Sequence, residues 1–175
     1  MENIINFLVP KPNMSFIRIK KIGNKEYAYL VENRWYKKNF RGKGRGSRQK
    51  VISYLGKVYS FDKANDISFV EFKRINNEDY LNSKSKEQII KDLIEWELFK
   101  HNAHGIAVDF KDKKILEGKK EVTLKINEGF LNSYTLGRLF NLSNIKSRES
   151  YYLAKCFVEA GIEIPQDIFV GMFGR

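Results

Sequence analysis

Apolar and polar positions alternate along "FIRIKKI" (16–22), so that Ile17 and Ile19 fall on one side of an extended chain and Phe16, Arg18 and Lys20 on the other. After a Gly-Asn pair the alternation resumes in "EYAYLVENRWY" (26–36), which sets Tyr27, Tyr29 and Val31 against Ala28 and Leu30. Alternating runs separated by such a pair are the signature of a tight hairpin. A third run, "QKVISYLGKVYSF" (49–61), is rich in β-branched and aromatic residues. The pattern predicts a three-stranded antiparallel meander, with one face apolar and the other displaying Arg, Lys and aromatic side chains.

The period changes downstream. Residues 62–82 read as a connector whose apolar stretch "ISFVEF" (67–72) resembles one more strand. Ser85 opens the clearest helix: Ser85 and Gln88 have capping-box spacing, and Ile89, Ile90, Leu93, Trp96 and Leu98 supply an apolar stripe. Lys100, His101 and His104 suit the negative end of its dipole, and Gly105 suits the C-terminal cap. "IAVDF", "ILEG" and "VTLKI" read as two or three short strands between charged turns. "FLNSYTLGRLFNL" (130–142) and "SRESYYLAKCFVEA" (147–160) then read as helices, the second capped by Ser147 and stopped by Gly161, and Pro165 starts a short terminal helix. The expected fold class is α+β: a basic three-stranded antiparallel meander, then a helix with a small antiparallel sheet and a helical C-terminal part. Residues 14–61 form the meander as a nucleic-acid-binding module, and residues 62–175 form the α+β body.

Composition narrows the class. Hydrophobic residues at 42% and aromatics at 14% are too many for a disordered chain. No apolar run approaches the roughly 18 residues of a spanning helix, and residues 1–13 show neither a basic n-region nor a small-residue cleavage site, so a cytoplasmic location away from membranes is expected. The single Cys156 builds no disulfide framework and no zinc knuckle; on an apolar helical stripe with Leu153 and Phe157 it reads as a buried, inert thiol.

Charge changes the picture most. Residues 15–60 hold 13 Lys or Arg against Glu26 and Glu32, while the rest of the chain holds 19 of each sign, so one quarter of the sequence carries the entire excess of +11. A neutral body with one concentrated basic module points to a polyanionic partner. The densest part, "NRWYKKNFRGKGRGSRQKV" (33–51), combines eight cations with Gly42, Gly44 and Gly46 and with Trp35, Tyr36 and Phe40. Cations at phosphate spacing, backbone that approaches closely and planar side chains are what nucleic-acid contact needs. The expected binding residues are Arg18, Lys20, Arg34, Trp35, Lys37, Lys38, Arg41, Lys43, Arg45, Arg48 and Lys50. The bland alternative is a solvated loop kept soluble by its charge.

The ordered motifs "FIRIK" (16–20), "YAYLVE" (27–32) and "RQKVISYLGKV" (48–58) resemble the N-terminal β-rich segment of DDE-type insertion-sequence transposases and of small uncharacterised archaeal proteins. The resemblance covers residues 16–58 and implies contact with DNA rather than RNA. It departs from the family in its longer, more basic loop, and the residues that follow are too few for a ribonuclease-H-like core, so it transfers DNA contact and no catalysis.

Enzymatic alternatives rest on less. Asp109, Glu117 and Lys119 follow the order of a PD-(D/E)xK nuclease, behind a helix bearing Glu95 and Glu97. Pairing 106–110 with 115–119, however, sets Val108 opposite Glu117 and turns Asp109 to the other side. His101 and His104 lack a third metal ligand nearby. A third reading makes the basic loop the site for an acidic protein partner. No cofactor and no metal is expected, and the aromatic excess at the chain end offers a candidate homodimer face.

Overall fold

The structure is a computed structural model that describes residues 15–36, 46–75, 77–142 and 150–173. Its first element, β1 (Ser15–Ile22), turns through Gly23 and Asn24 into β2 (Lys25–Tyr36), and β3 (Gly46–Ser60) returns antiparallel to β2. Gly23 adopts φ +59°, the conformation that the two-residue turn demands. The predicted meander is therefore present, and the alternation read from the sequence matches it. Ile17 pairs with Leu30 and Ile19 with Ala28 on one face, while Arg18 pairs with Tyr29 and Lys20 with Tyr27 on the other.

The body follows as α1 (Phe69–Lys73), α2 (Asn77–Ser83), α3 (Lys86–Lys100), β4 (Ile106–Asp109), β5 (Lys114–Glu117), β6 (Lys120–Ile126), β7 (Gly129–Leu131), α4 (Ser133–Asn141), α5 (Ser150–Ala160) and α6 (Gln166–Phe173). The seven strands form one sheet in the order β1-β2-β3-β6-β5-β4, with β7 paired to β6. The end of β3 joins β6 in parallel, Lys57 to Ser60 lying beside Val122 to Lys125. The meander and the small antiparallel sheet are thus one hydrogen-bonded surface. Gly56 permits the junction: at φ +104°, a Cβ there would stand 2.5 Å from the Glu121 carbonyl oxygen. Thr123, fully buried, fastens it by donating its Oγ1 proton to the Leu55 carbonyl at 2.7 Å.

Two cores sit on this sheet. In the larger, Val122, Leu124 and Ile126 of β6 pack with Ile90, Leu93 and Ile94 of α3, Leu136 and Leu139 of α4, Phe157 of α5 and Ile168 of α6. The smaller joins Ala28, Leu30, Leu55 and Val58 of the meander to Ile17, Ile19, Phe130 and Tyr134. Because Leu124 pairs with Leu131 and Lys125 with Phe130, β7 sends Leu131 into the large core and Phe130 into the small one. The meander's apolar face is thereby covered by β7 and α4. Its opposite face is covered by no helix among the described residues that the two cores contain.

Four local expectations are corrected. "ISFVEF" is not a strand: Phe69–Lys73 is helical, because Ser68 and Glu71 form the same reciprocal cap that Ser85 and Gln88 form at α3. Phe130 and Leu131 are strand, and the helix waits until Asn132, whose side chain accepts from the Tyr134 and Thr135 amides. The cap of α3 falls on His101 rather than Gly105, which lies at φ +79° in the turn before β4. In the β4–β5 hairpin Ile106, not Val108, lies opposite Glu117. That shift is of two residues, so Asp109 and Glu117 still point to opposite sides. The Ser147 cap lies outside the described residues.

Candidate nucleic-acid interface

The outer face of the meander is built by strand alternation. Along β2 the same side carries Lys25, Tyr27, Tyr29 and Val31, and β1 places Arg18 and Lys20 beside them. On β3 the alternation is broken twice, by register shifts between Ala28 and Tyr29 and between Leu30 and Val31 of its partner strand. At the tip of the ribbon Val31 pairs with Val51; were that register kept, Tyr54 would lie opposite Ala28 and face the small core. One inserted residue instead sets Tyr54 opposite Tyr29, on the outside. The second insertion restores the phase, placing Lys57 opposite Tyr27.

The result is a row of tyrosines flanked by cations. Tyr29 and Tyr54 have ring centroids 5.4 Å apart and Tyr27 and Tyr54 6.4 Å, inclined at 54° and 40°. Rings that meet at these angles do not cover one another face to face. Tyr54 remains 53% exposed. Its hydroxyl is held above the ordinary phenol range, first by partial burial and then by the neighbouring Tyr29, Tyr27 and Tyr59. Arg18 reaches across β2 to donate to Gln49 Oε1 at 2.5 Å, a neutral partner. Lys57 lies 4.0 Å from the Tyr59 ring centroid, and its ammonium is held above the usual lysine value by its bond to Tyr59, against a smaller effect of burial, with Glu117 adding to the rise.

At the step where β3 leaves the meander for β6, a recess of about 520 Å³ opens between Tyr27, Tyr54 and Tyr59. Lys25, Lys57 and Lys120 line it together with Glu121 and with Glu117, which accepts the Tyr59 hydroxyl proton. A second, smaller recess of about 230 Å³ is lined by Arg18, Lys20, Tyr29 and Val51. Among the described residues Arg18, Lys20, Lys25, Lys57 and Lys120 form no ion pair with a carboxylate.

The sequence-predicted residues are divided by this geometry. Arg18, Lys20 and Trp35 belong to the outer side, where Trp35 is 63% exposed. Arg34, Arg48 and Lys50 alternate to the inner side, Lys50 opposite Glu32 and Arg48 opposite Arg34. There the buried Glu32 forms an ion pair with Arg34, which offsets that charge. Lys37, Lys38, Arg41, Lys43 and Arg45 lie outside the described residues. Sequence reasoning missed Lys25, Tyr54, Lys57, Tyr59 and Lys120 as parts of a site.

The other candidates do not assemble. Asp109 Oδ1 accepts the Lys111 and Asp112 amides and closes its own turn, while Glu117 is engaged by Tyr59 on the far side of the hairpin and Lys119 lies in the next turn. His101 is buried, with Nδ1 at 2.9 Å from the Phe61 carbonyl and Nε2 at 3.2 Å from Asn127 Oδ1, whereas His104 is exposed. No group of three potential ligands that could hold a metal ion occurs among the described residues. Cys156 is buried, which pushes its thiol above the ordinary range despite the nearby Arg138. No described helix is long and apolar enough to cross a membrane. Comparison with protein-family models, with curated proteins and with solved structures finds no match.

Proposed function

We propose that this protein binds nucleic acid, DNA in preference to RNA, through the outer face of its β-meander. One observation carries the reading. Arg18, Lys20, Lys25 and Lys57 stand on the outer sheet face beside a row of tyrosines and make no ion pair among the described residues, whereas the buried Lys100 and the partly buried Lys73 and Arg138 of the body are paired with carboxylates. Phosphates drawn to such a face release condensed counterions, a gain that disappears as salt rises. The charge count supports this, since residues 15–60 hold the whole excess of +11 and the sequence joining β2 to β3 adds Lys37, Lys38, Arg41, Lys43 and Arg45. The preference for DNA rests on the resemblance of residues 16–58 to transposase N-terminal segments.

The test is fluorescence anisotropy with labelled DNA and with RNA of the same sequence at low and at moderate salt. The reading expects DNA binding that weakens by about tenfold or more between about 50 and 200 mM salt, as a few phosphate contacts require, with RNA weaker. Absence of binding at low salt, or an affinity indifferent to salt, overturns it.

A further inference from the structure

We infer that this face selects unpaired DNA, and that the recess between Tyr27, Tyr54 and Tyr59 receives one splayed-out nucleotide of the strand. The inference rests on the nucleic-acid reading above and adds to it the state of the strand. Three observations carry it.

The first is the tyrosine row. In a duplex the bases are stacked on each other and offer only their edges, so an aromatic ring on a protein surface finds no base face to cover. An unpaired strand does offer those faces, and aromatic side chains on a sheet surface stack on them with little regard for sequence. Tyr54 is half exposed, and its tilted neighbours leave ring surface uncovered. Phe16, Val51 and Ile52 add exposed apolar surface on the same three strands, which phosphate contact alone does not use.

The second is the size and position of the recess. At about 520 Å³ it falls within the roughly 300–1,000 Å³ of small-molecule sites. It lies in line with the tyrosine row, at the end where β3 crosses to β6, so a strand that runs along the row can turn one nucleotide into it.

The third is the division of charge around its rim. Lys25, Lys57 and Lys120 attract the phosphates of the strand, while Glu117 and Glu121, which also line the recess, repel them, and Glu117, already bonded by the Tyr59 hydroxyl, keeps lone pairs to accept further protons. Each unpaired base carries an N–H donor on its pairing edge, which in a duplex is spent on the complementary base. A carboxylate beside cations therefore suits a nucleotide that enters base first toward Glu117, with its phosphate held by the lysines.

The experiment uses the whole chain with a short fluorescent DNA strand, the same strand annealed to its complement, and the RNA strand of the same sequence. Wild-type protein is compared with Tyr54→Ala, Tyr54→Trp and Lys57→Ala, each first shown by circular dichroism and thermal melting to be folded. The single strand is expected to bind at least about tenfold more tightly than the duplex. Tyr54→Ala is expected to weaken the single strand by about tenfold, the scale of one lost stacking contact, with the duplex unchanged; Tyr54→Trp is expected to restore it. Lys57→Ala is expected to weaken both forms and to reduce the salt dependence. Equal affinity for the two forms, or a single strand indifferent to Tyr54→Ala, overturns the inference and leaves the phosphate-binding function standing. RNA bound more tightly than DNA overturns the choice of DNA. Failure of every nucleic acid to bind at low salt overturns the function itself.

Discussion

Two regions of the molecule hold cations in opposite ways. At the end of α3, Lys100 is buried, lies 3.7 Å from the Trp96 ring centroid, and donates to Glu97 at 2.8 Å and Glu163 at 2.5 Å. Glu97, fully buried, also accepts the Glu163 amide at 2.9 Å and the Asn127 side chain at 3.2 Å. The Lys100 charge is thus met by two carboxylates and a ring inside the protein. On the outer face of the meander Arg18 meets a neutral glutamine and Lys57 a tyrosine. A buried charge must be paired, because desolvation costs more than an unpaired ion can recover; a charge at the surface is under no such demand and remains open to a ligand. Lys100 is held as part of the structure, whereas Arg18 and Lys57 engage no carboxylate among the described residues.

Breaking the internal cluster should therefore cost stability and spare binding. Glu97→Ala leaves Lys100 with the half-exposed Glu163 alone and strips acceptors from Asn127 and the Glu163 amide. The expected loss is about 3–5 kcal/mol in urea unfolding, with the DNA affinity of the folded fraction unchanged.

A smaller loss should come from the joint between the regions. In Gly56→Ala the new methyl meets the Glu121 carbonyl oxygen and the Val122 Cα at 2.5 and 2.6 Å, in a backbone conformation that L-residues avoid. A cost of about 2 kcal/mol is expected in unfolding, and hydrogen exchange at Val58 to Ser60, which pair with β6, should speed up more than at the tip of the meander. Protection unchanged along β3 would mean that the junction tolerates the methyl.

The mildest test concerns Cys156, which reports on the body without perturbing it. Burial keeps its thiol above the ordinary pKa, so alkylation of the native protein at neutral pH should be slow and should become rapid only in denaturant. Rapid native alkylation would show that the α4–α5 side of the core opens readily.

The same contrast explains what could be read from the sequence. Strand alternation and the Gly-Asn turn expose β1 and β2 because each signal lies within a few residues, and the reciprocal caps mark α3 for the same reason. Ser68 and Glu71 carried an equal signal for α1, but the apolar run "ISFVEF" masked it. The parallel pairing of β3 with β6 joins residues more than sixty positions apart and leaves no local trace. For the candidate interface, charge density marks strands but not the sides on which their side chains fall. Arg34, Arg48 and Lys50 alternate away from Arg18 and Lys20, and the tyrosine row depends on inserted residues in β3 that turn Tyr54 outward. An insertion of one residue is invisible to a periodicity count, yet it decides which face a side chain joins.

The most direct test is the salt dependence of affinity for a single DNA strand, measured for the wild-type protein and for the triple variant Arg18→Ala, Lys20→Ala, Lys57→Ala. If these side chains meet phosphates, the slope of log affinity against log salt becomes shallower by about 2, close to 0.7 for each lost contact, and the two lines converge at high salt. A variant line parallel to the wild-type line, or superimposed on it, would contradict the assignment of this face to nucleic acid.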